Sequence, residues 1–158
     1  MRGDTRRLRR ADVTGVRIRP ARPDELEDVL RLWRHADAVP TKTDDLEGLG
    51  VLLARDPGAL LVAELTDSGR GDETGGLVGT AICAFDGWRG AVYRLAVLPA
   101  ARRKGVARLL VEAAAERLDG LGAGRSGAIV HRSDPQAVAF WRSTGWEEQD
   151  DWLRFARG

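Results

Sequence analysis

The pattern of apolar and polar residues along the chain predicts a mixture of strands and helices. Short apolar runs and alternating positions predict strands at residues 16–21, 59–65, 77–85, 91–98 and 127–132. Apolar residues spaced three and four apart predict helices that begin near Arg22, Thr43, Gly105 and Ser133. The closing segment, residues 146–157, carries Trp146 and Trp152 and is predicted to form a hairpin.

This order of elements predicts a single α+β domain over residues 14–158, with a mixed, mostly antiparallel sheet. We expect six to seven strands and about four helices, because the closing hairpin adds two strands to the five apolar runs. Residues 1–13 begin MRGDTRRLRR, which is basic and lacks an apolar stretch. We expect a disordered tail there, and a nucleic-acid-binding arm is the alternative.

Two of the predicted helices have a well-defined apolar face. The first helix presents Leu26, Val29, Leu30 and Trp33 at the spacing of an amphipathic helix. The helix after Gly105 is predicted to bury Val106, Leu109, Leu110, Ala113 and Leu118. Both helices are therefore expected to pack against the sheet.

The composition excludes several classes of protein but does not identify one. The chain has 158 residues and a formal net charge of +1, which gives no general reason to expect nucleic acid or a membrane as partner. Its one cysteine, Cys83, excludes an internal disulfide, and His35 and His131 show no metal-ligand spacing. No run approaches the roughly 20 apolar residues of a membrane span. We therefore expect a cytoplasmic protein that binds no metal.

The stretch LAVLPAARRKGVARLL, residues 95–110, predicts a binding site for a phosphate-bearing ligand. An apolar strand ends at Pro99, and three consecutive cations and Gly105 stand where a helix begins. The first N–H groups of a helix have no partners within the helix, so a helix N-terminus binds anions well. Glycine lets a bulky anion approach the backbone closely. A solvated first turn with no ligand is the alternative.

The same stretch resembles the acyl-CoA-binding motif of the GNAT superfamily of N-acetyltransferases. The strand, V-x-P and [RQ]-x-x-G-x-[GA] of that motif are matched by Val97, Pro99, Arg102, Gly105 and Ala107. A second segment, DPQAVAFWRSTGW, resembles the late helix of the family at Ala137, Phe140, Gly145 and Trp146. The order of elements also resembles that family from about Val16 to Phe155.

The resemblance implies that acetyl-CoA is the cosubstrate. Its pyrophosphate would lie on the backbone amides after Arg102, and its pantetheine arm would pair with the fourth strand, which splays from the fifth. The resemblance implies coenzyme contacts at Leu95, Ala96, Val97, Arg102, Arg103, Lys104, Gly105, Val106, Ala107, Asp134, Ala137, Phe140 and Trp141. An amine would attack the thioester directly, and the N–H of Val97 would stabilise the oxyanion.

Three residues differ from the family pattern at positions that serve the reaction or contact the coenzyme in other members. Trp141 stands where many members have a tyrosine acid, Ala91 where some have a glutamate base, and Asp134 where an asparagine often contacts pantetheine. An ionised carboxylate accepts hydrogen bonds but donates none. These departures motivate an alternative function, a non-catalytic acyl-CoA sensor or partner-binding module.

The acid and base must therefore come from other residues, and the candidates are Tyr93, His131 and Glu64. Tyr93 is the only tyrosine and lies two residues before Leu95. His131 ends the fifth strand and has a suitable titration range. The alternatives are that Tyr93 packs on a face of the sheet, that His131 is an ordinary surface residue and that Glu64 is solvated at a strand end. Water can also serve as the base. Direct attack needs no acyl-enzyme, so Cys83 is not expected to act as a nucleophile.

The acceptor side is expected to be walled by the first two helices and the hairpin loops. Trp33, Asp86 and Trp88 are the substrate candidates, because a carboxylate beside an indole suits a cationic amine. The alternatives are that Trp33 is a core residue, that Asp86 is a cap and that the DGWRG turn is a homodimer contact. The resemblance implies a primary amine as acceptor, whether a small molecule, a protein N-terminus or a lysine, and the sequence does not select one of these.

Overall fold

Residues 15–67 and 73–157 of the chain are described in a computed structural model, and the predicted tail of residues 1–13 lies outside them. The chain divides into two compact units, one up to Gly127 and one from Ala128 onward, and each is described by itself. In the part of the chain that is described, no helix has the length and apolar character needed to cross a bilayer. The prediction of one domain over residues 14–158 stays a prediction.

The described residues form an α+β fold, as predicted. The strands are β1 (Val16–Pro20), β2 (Leu60–Leu65), β3 (Leu77–Phe85), β4 (Gly90–Val97) and β5 (Ser126–Ala128). The helices are α1 (Leu26–His35), α2 (Leu46–Arg55), α3 (Val106–Gly120) and α4 (Pro135–Ser143). The strands lie in the order β1-β2-β3-β4-β5; neighbours from β1 to β4 are antiparallel, and β5 runs parallel to β4.

The prediction of six to seven strands was wrong, because the described residues form a sheet of five. Residues 146–157 contain no strand, and Trp152 and Phe155 of that segment are 74% and 90% exposed. A hairpin is stable only when its apolar face is covered, and these two side chains are exposed. β5 is also shorter than the predicted strand 127–132, and Ile129 beyond its end is 57% exposed.

The core of the first unit lies on both sides of β3, whose first seven residues are buried. Both α1 and α3 contact β3, which explains why its sequence is apolar without alternation. α1 buries Leu26, Val29, Leu32 and Trp33, so three of its four predicted core positions are confirmed and Leu30 is half-buried. α3 buries Val106, Leu110, Val111, Ala114 and Leu118, whereas Leu109 and Ala113, both predicted to be core, are half-buried.

Candidate active site

A β-bulge interrupts β4 just before the residues expected to hold the coenzyme. Thr80 of β3 lies opposite Ala96, and Ile82 lies opposite Tyr93, so two residues of β4 face the single residue Ala81. The first of the two, Arg94, has φ of 49°, a left-handed conformation that costs an L-residue about 1 kcal/mol or more. The bulge therefore needs interactions that hold it in place.

Two hydrogen bonds from buried side chains hold the bulge. The Thr80 hydroxyl is fully buried and donates to the carbonyl of Arg94 at 3.0 Å. The same oxygen accepts the indole N–H of Trp33 at 2.8 Å. Trp33, a substrate candidate in the sequence, is 4% exposed and lies in the core. Its geometry supports a role in fixing β4 rather than contact with an acceptor.

Beyond the bulge, β5 is too short to pair with the whole of β4. The Gly90 N–H, at the start of β4, donates to the Arg125 carbonyl at 2.9 Å. β5 then has three residues against eight in β4. On the other edge the ladder with β3 continues to Leu98, whose N–H donates to the Val78 carbonyl at 2.9 Å. Within the described residues of the first unit, the backbone of residues 95–97 therefore runs past the end of β5, and such an edge suits an extended ligand.

The loop after β4 has the geometry of an anion-binding turn. Pro99–Ala101 form a short 3-10 helix, after which Arg103 has φ of 60° and Gly105 has φ of 83°. Left-handed residues in such a turn direct successive backbone N–H groups to a common concavity. Residues 102–105 are exposed, and among the described residues no side chain caps the N-terminus of α3. The N–H groups at the start of α3 and the two cations at 103 and 104 are of the kind that bind a pyrophosphate.

Arg102 has a different position from its two cationic neighbours. Its Nε donates to the Val97 carbonyl at 3.0 Å, and its Nη2 donates to the Ala36 carbonyl at 3.0 Å. Its guanidinium thus ties the loop to β4 and to the end of α1. Val97 itself is 8% exposed. The side chain of Arg102 is therefore better suited to holding the loop at residues 102–105, the proposed phosphate loop, in shape than to binding a phosphate.

Of the three acid–base candidates, Tyr93 lies on β4 immediately before the bulge, and Glu64 lies on β2. Tyr93 is 44% exposed, so its hydroxyl is accessible to a ligand. Glu64 accepts from Arg19 at 3.0 Å and from Arg17 at 2.8 Å. The Arg19 and Arg17 guanidiniums lower the pKa of Glu64 to about 2. A carboxylate with that pKa is a weak base, and the geometry gives Glu64 an ion-pairing role.

The turn between β3 and β4 contains the other two substrate candidates. Asp86 accepts the N–H groups of Trp88 at 2.8 Å and Arg89 at 2.7 Å, and these bonds hold the pKa of Asp86 below its ordinary value. Trp88 is 67% exposed, and the Arg89 guanidinium lies 4.2 Å from its ring centroid. Asp86 therefore closes the turn. This turn precedes Gly90, so it lies at one end of β4 and Val97 lies at the other.

The second unit contains the remaining predicted residues. His131 Nδ1 lies 2.9 Å from the Ser133 hydroxyl, and Asp134 caps α4 by accepting the Ala137 N–H at 2.9 Å. Trp141 packs edge-on against Phe140, at a centroid distance of 5.9 Å, and against Trp146, at 5.0 Å. This Asp134 oxygen is therefore engaged at the start of the helix. Contact of these residues with the coenzyme stays a prediction.

The remaining potential nucleophile, Cys83, is fully buried in β3. Burial raises the pKa of its thiol, so the thiolate form is disfavoured. Across residues 15–67 and 73–157, no group of three or more His, Cys, Asp and Glu side chains is placed to hold a metal ion.

Sequence reasoning missed two of the residues at the bulge, Arg94 and Thr80. Arg94 donates to Asp44, to the Val39 carbonyl and to the Thr41 hydroxyl. Thr80 supplies the hydroxyl behind it. The available signal was a polar residue inside an otherwise apolar strand, which applies to Thr80 in β3 and Arg94 in β4.

Comparisons with known proteins agree with this geometry. A model of the acetyltransferase (GNAT) family matches residues 23–146. Acetyltransferase SG1711 of Sodalis glossinidius is 29% identical over 138 residues, which cover 87% of this chain and 92% of that protein. Ard1 from Thermoplasma volcanium shares the fold with a TM-score of 0.69 at 18% identity, covering 83% of this chain and 82% of that one.

A predicted acetyltransferase with acetyl-CoA from Clostridium acetobutylicum also shares the fold, with a TM-score of 0.68 at 14% identity. The similarity covers 89% of this chain and 96% of that one. The family model spans both the phosphate-loop motif and the late helix. The chain therefore belongs to the acetyltransferase (GNAT) family and is an N-acetyltransferase.

Proposed function

We propose that the protein transfers an acetyl group from acetyl-CoA to a primary amine by direct attack. The observation that carries the proposal is the loop at residues 102–105, where Arg103 and Gly105 have positive φ and the cations are exposed at the uncapped start of α3. This arrangement suits the pyrophosphate of the coenzyme. The backbone of residues 95–97, beyond the end of β5, suits the peptide-like pantetheine.

The transfer itself forms a C–N bond and breaks the C–S bond of the thioester. The N–H of Val97, two residues beyond the bulge, is proposed to stabilise the oxyanion. The departing sulfur takes up a proton, and Tyr93 is proposed to donate it because its hydroxyl is exposed on the same strand. The attacking amine releases its proton to water. We also propose that the protein acts in the cytoplasm, since it uses a cytosolic coenzyme.

Calorimetry with acetyl-CoA tests the proposal, and thiol release against a panel of amines follows in the same sample. The panel contains small aliphatic amines, a lysine peptide and a peptide with a free N-terminus. Cys83 is fully buried, so the folded protein contributes little to the thiol signal. Binding with amine-dependent thiol release would support a transferase and define the acceptor class. Binding without release would favour the sensor function, and no binding would contradict the coenzyme site.

Replacement of Tyr93 by Phe should lower kcat by about tenfold to a hundredfold, because it removes the proposed proton donor. Affinity for acetyl-CoA should stay unchanged, since the ring and the backbone are retained. The measurement is a pH profile of kcat for the wild type and for Tyr93→Phe, with calorimetry as the control for coenzyme binding. An unchanged kcat across pH 6 to 10 would assign Tyr93 a purely structural role.

A further inference from the structure

The segment that joins α1 to α2, residues 36–45, is bonded to β4 mainly through Arg94. Its Nη1 donates to the Val39 carbonyl at 2.8 Å, and its Nη2 donates to the Thr41 hydroxyl at 3.1 Å. The guanidinium also forms a two-pronged ion pair with Asp44, whose carboxylate accepts from the Thr41 N–H at 3.0 Å. We refer to residues 36–45 as the α1–α2 connection.

The Arg94–Asp44 pair is well shielded for an interaction at a loop. The two side chains are 16% and 15% exposed. Burial acts to raise the pKa of Asp44, but the bonds from Arg94 and Thr41 hold that pKa below its ordinary value. The planar guanidinium lies 4.9 Å from the centroid of the Trp33 ring, which packs beneath it. A shielded bidentate pair of this kind fixes geometry more firmly than a surface ion pair does.

A second arginine joins the other end of the α1–α2 connection to the same strand. Arg102 bridges the Ala36 carbonyl and the Val97 carbonyl. Arg94 and Arg102 therefore flank the backbone proposed to hold the coenzyme, residues 95–97. Both direct their guanidiniums to the same ten-residue segment, 36–45. That segment has few other bonds to the sheet in the described part of the chain, and most of its residues are exposed.

We infer that Arg94 is a positioning residue that couples coenzyme binding on β4 to the order of the α1–α2 connection, on the acceptor side. The inference rests on the proposed function. A ligand strand that pairs with residues 95–97 would restrict the bulge, and Arg94 transmits that restriction because its backbone forms the bulge while its side chain holds residues 39–44. Coupling through loss of flexibility requires no large movement. The amine then meets a more firmly ordered wall once the coenzyme is bound.

The left-handed backbone of Arg94 makes a sharp variant available. Glycine adopts φ of 49° without strain, so Arg94→Gly removes the side chain while it preserves the bulge. Asp44→Asn weakens the same contact from the other side and keeps an oxygen for Thr41. Arg89→Gln is the matched control, because Arg89 stacks on Trp88 in the turn at the opposite end of β4.

The test is hydrogen exchange of residues 36–45 with and without acetyl-CoA, together with calorimetry of acetyl-CoA binding. In the wild type and Arg89→Gln, acetyl-CoA should slow exchange in this segment by about tenfold. In Arg94→Gly and Asp44→Asn, acetyl-CoA should still bind, but the added protection should be lost. The KM for the most active amine of the panel should rise about tenfold in both variants.

The outcomes separate this inference from the proposed function. Equal added protection in the wild type and Arg94→Gly, or none in a wild type that binds acetyl-CoA, would overturn the coupling and leave the coenzyme site intact. Failure of the wild type to bind acetyl-CoA would overturn both. Loss of coenzyme binding in Arg94→Gly alone, with Asp44→Asn behaving as the wild type, would assign Arg94 to the coenzyme site and overturn the coupling.

Discussion

A glutamate in place of Gly105 is expected to weaken acetyl-CoA binding by at least about a hundredfold, or about 2.7 kcal/mol. Gly105 directly precedes α3 and has φ of 83°. A Cβ built at this position meets no atom within 4 Å, so the side chain would occupy the open space proposed for the pyrophosphate. Its carboxylate would repel the phosphates and accept hydrogen bonds from the N–H groups that should bind them.

Gly122→Glu is the matched control for this prediction. Gly122 follows the C-terminal end of the same helix, has φ of 86° and likewise has no atom within 4 Å of its Cβ position. The backbone strain is therefore the same at both positions. A carboxylate is less favourable at a helix C-terminus than at an N-terminus, so Gly122→Glu should be the less stable variant and still bind acetyl-CoA.

Calorimetry with the two variants and with Gly105→Ala separates the causes of the expected loss. The alanine variant adds bulk without charge, and we expect it to lose affinity by about tenfold, less than G105E. Wild-type affinity in G105E would show that the pyrophosphate does not lie on this loop. Equal loss in Gly122→Glu would show that backbone strain, and not the site, determines the affinity.

Local patterns predicted the elements of the first unit well. β3 was predicted to its exact bounds at 77–85, because its apolar run ends at turn residues on both sides. The start of α3 at Val106 follows from Gly105, which ends the loop in a conformation that glycine adopts freely. α3 begins directly after the proposed phosphate loop at residues 102–105, so the sequence was informative where the backbone itself forms the proposed site.

The side-chain contacts of the site were less predictable, because they join residues far apart in the chain. Arg102 was predicted to contact the coenzyme, and one of the two carbonyls that it binds belongs to Ala36, 66 positions away. Arg94 and Asp44 are 50 positions apart, and no local pattern pairs them. The left-handed φ of Arg94 was equally hidden, since an arginine gives no signal of a bulge.

The predicted closing hairpin failed for a related reason. Trp152, Leu153 and Phe155 have the composition of a strand, and strand propensity reflects packing on a covered surface. All three are more than 70% exposed, so that packing is not present. The sequence pattern identified residues that favour a sheet, but it did not contain the burial on which that preference depends.

Thr80→Val is expected to lower the free energy of unfolding by about 2–3 kcal/mol, although the two side chains have nearly the same shape. The Thr80 hydroxyl is fully buried, accepts from the Trp33 indole at 2.8 Å and donates to the Arg94 carbonyl at 3.0 Å. Valine would leave both groups without this partner inside the protein. A buried polar group that loses its partner costs about 1–3 kcal/mol, and the added methyl group offsets part of that cost.

Urea denaturation of four variants, namely Thr80→Val, Trp33→Phe, the double variant of these two and Thr66→Val, tests this interpretation of the bulge. In a Trp33→Phe background the indole donor is absent, so the same substitution should cost about half as much. Thr66→Val is the control, because Thr66 is exposed and its hydroxyl donates to the Gly15 carbonyl at 3.1 Å, and it should change stability by less than about 0.5 kcal/mol. A cost below that value for Thr80→Val would contradict the role of Thr80 in holding Arg94. A loss of about 2–3 kcal/mol in the free energy of unfolding, together with weaker acetyl-CoA binding, would support the role of Thr80. It would also show that the core beside α1 stabilises the strand on which the coenzyme is proposed to lie.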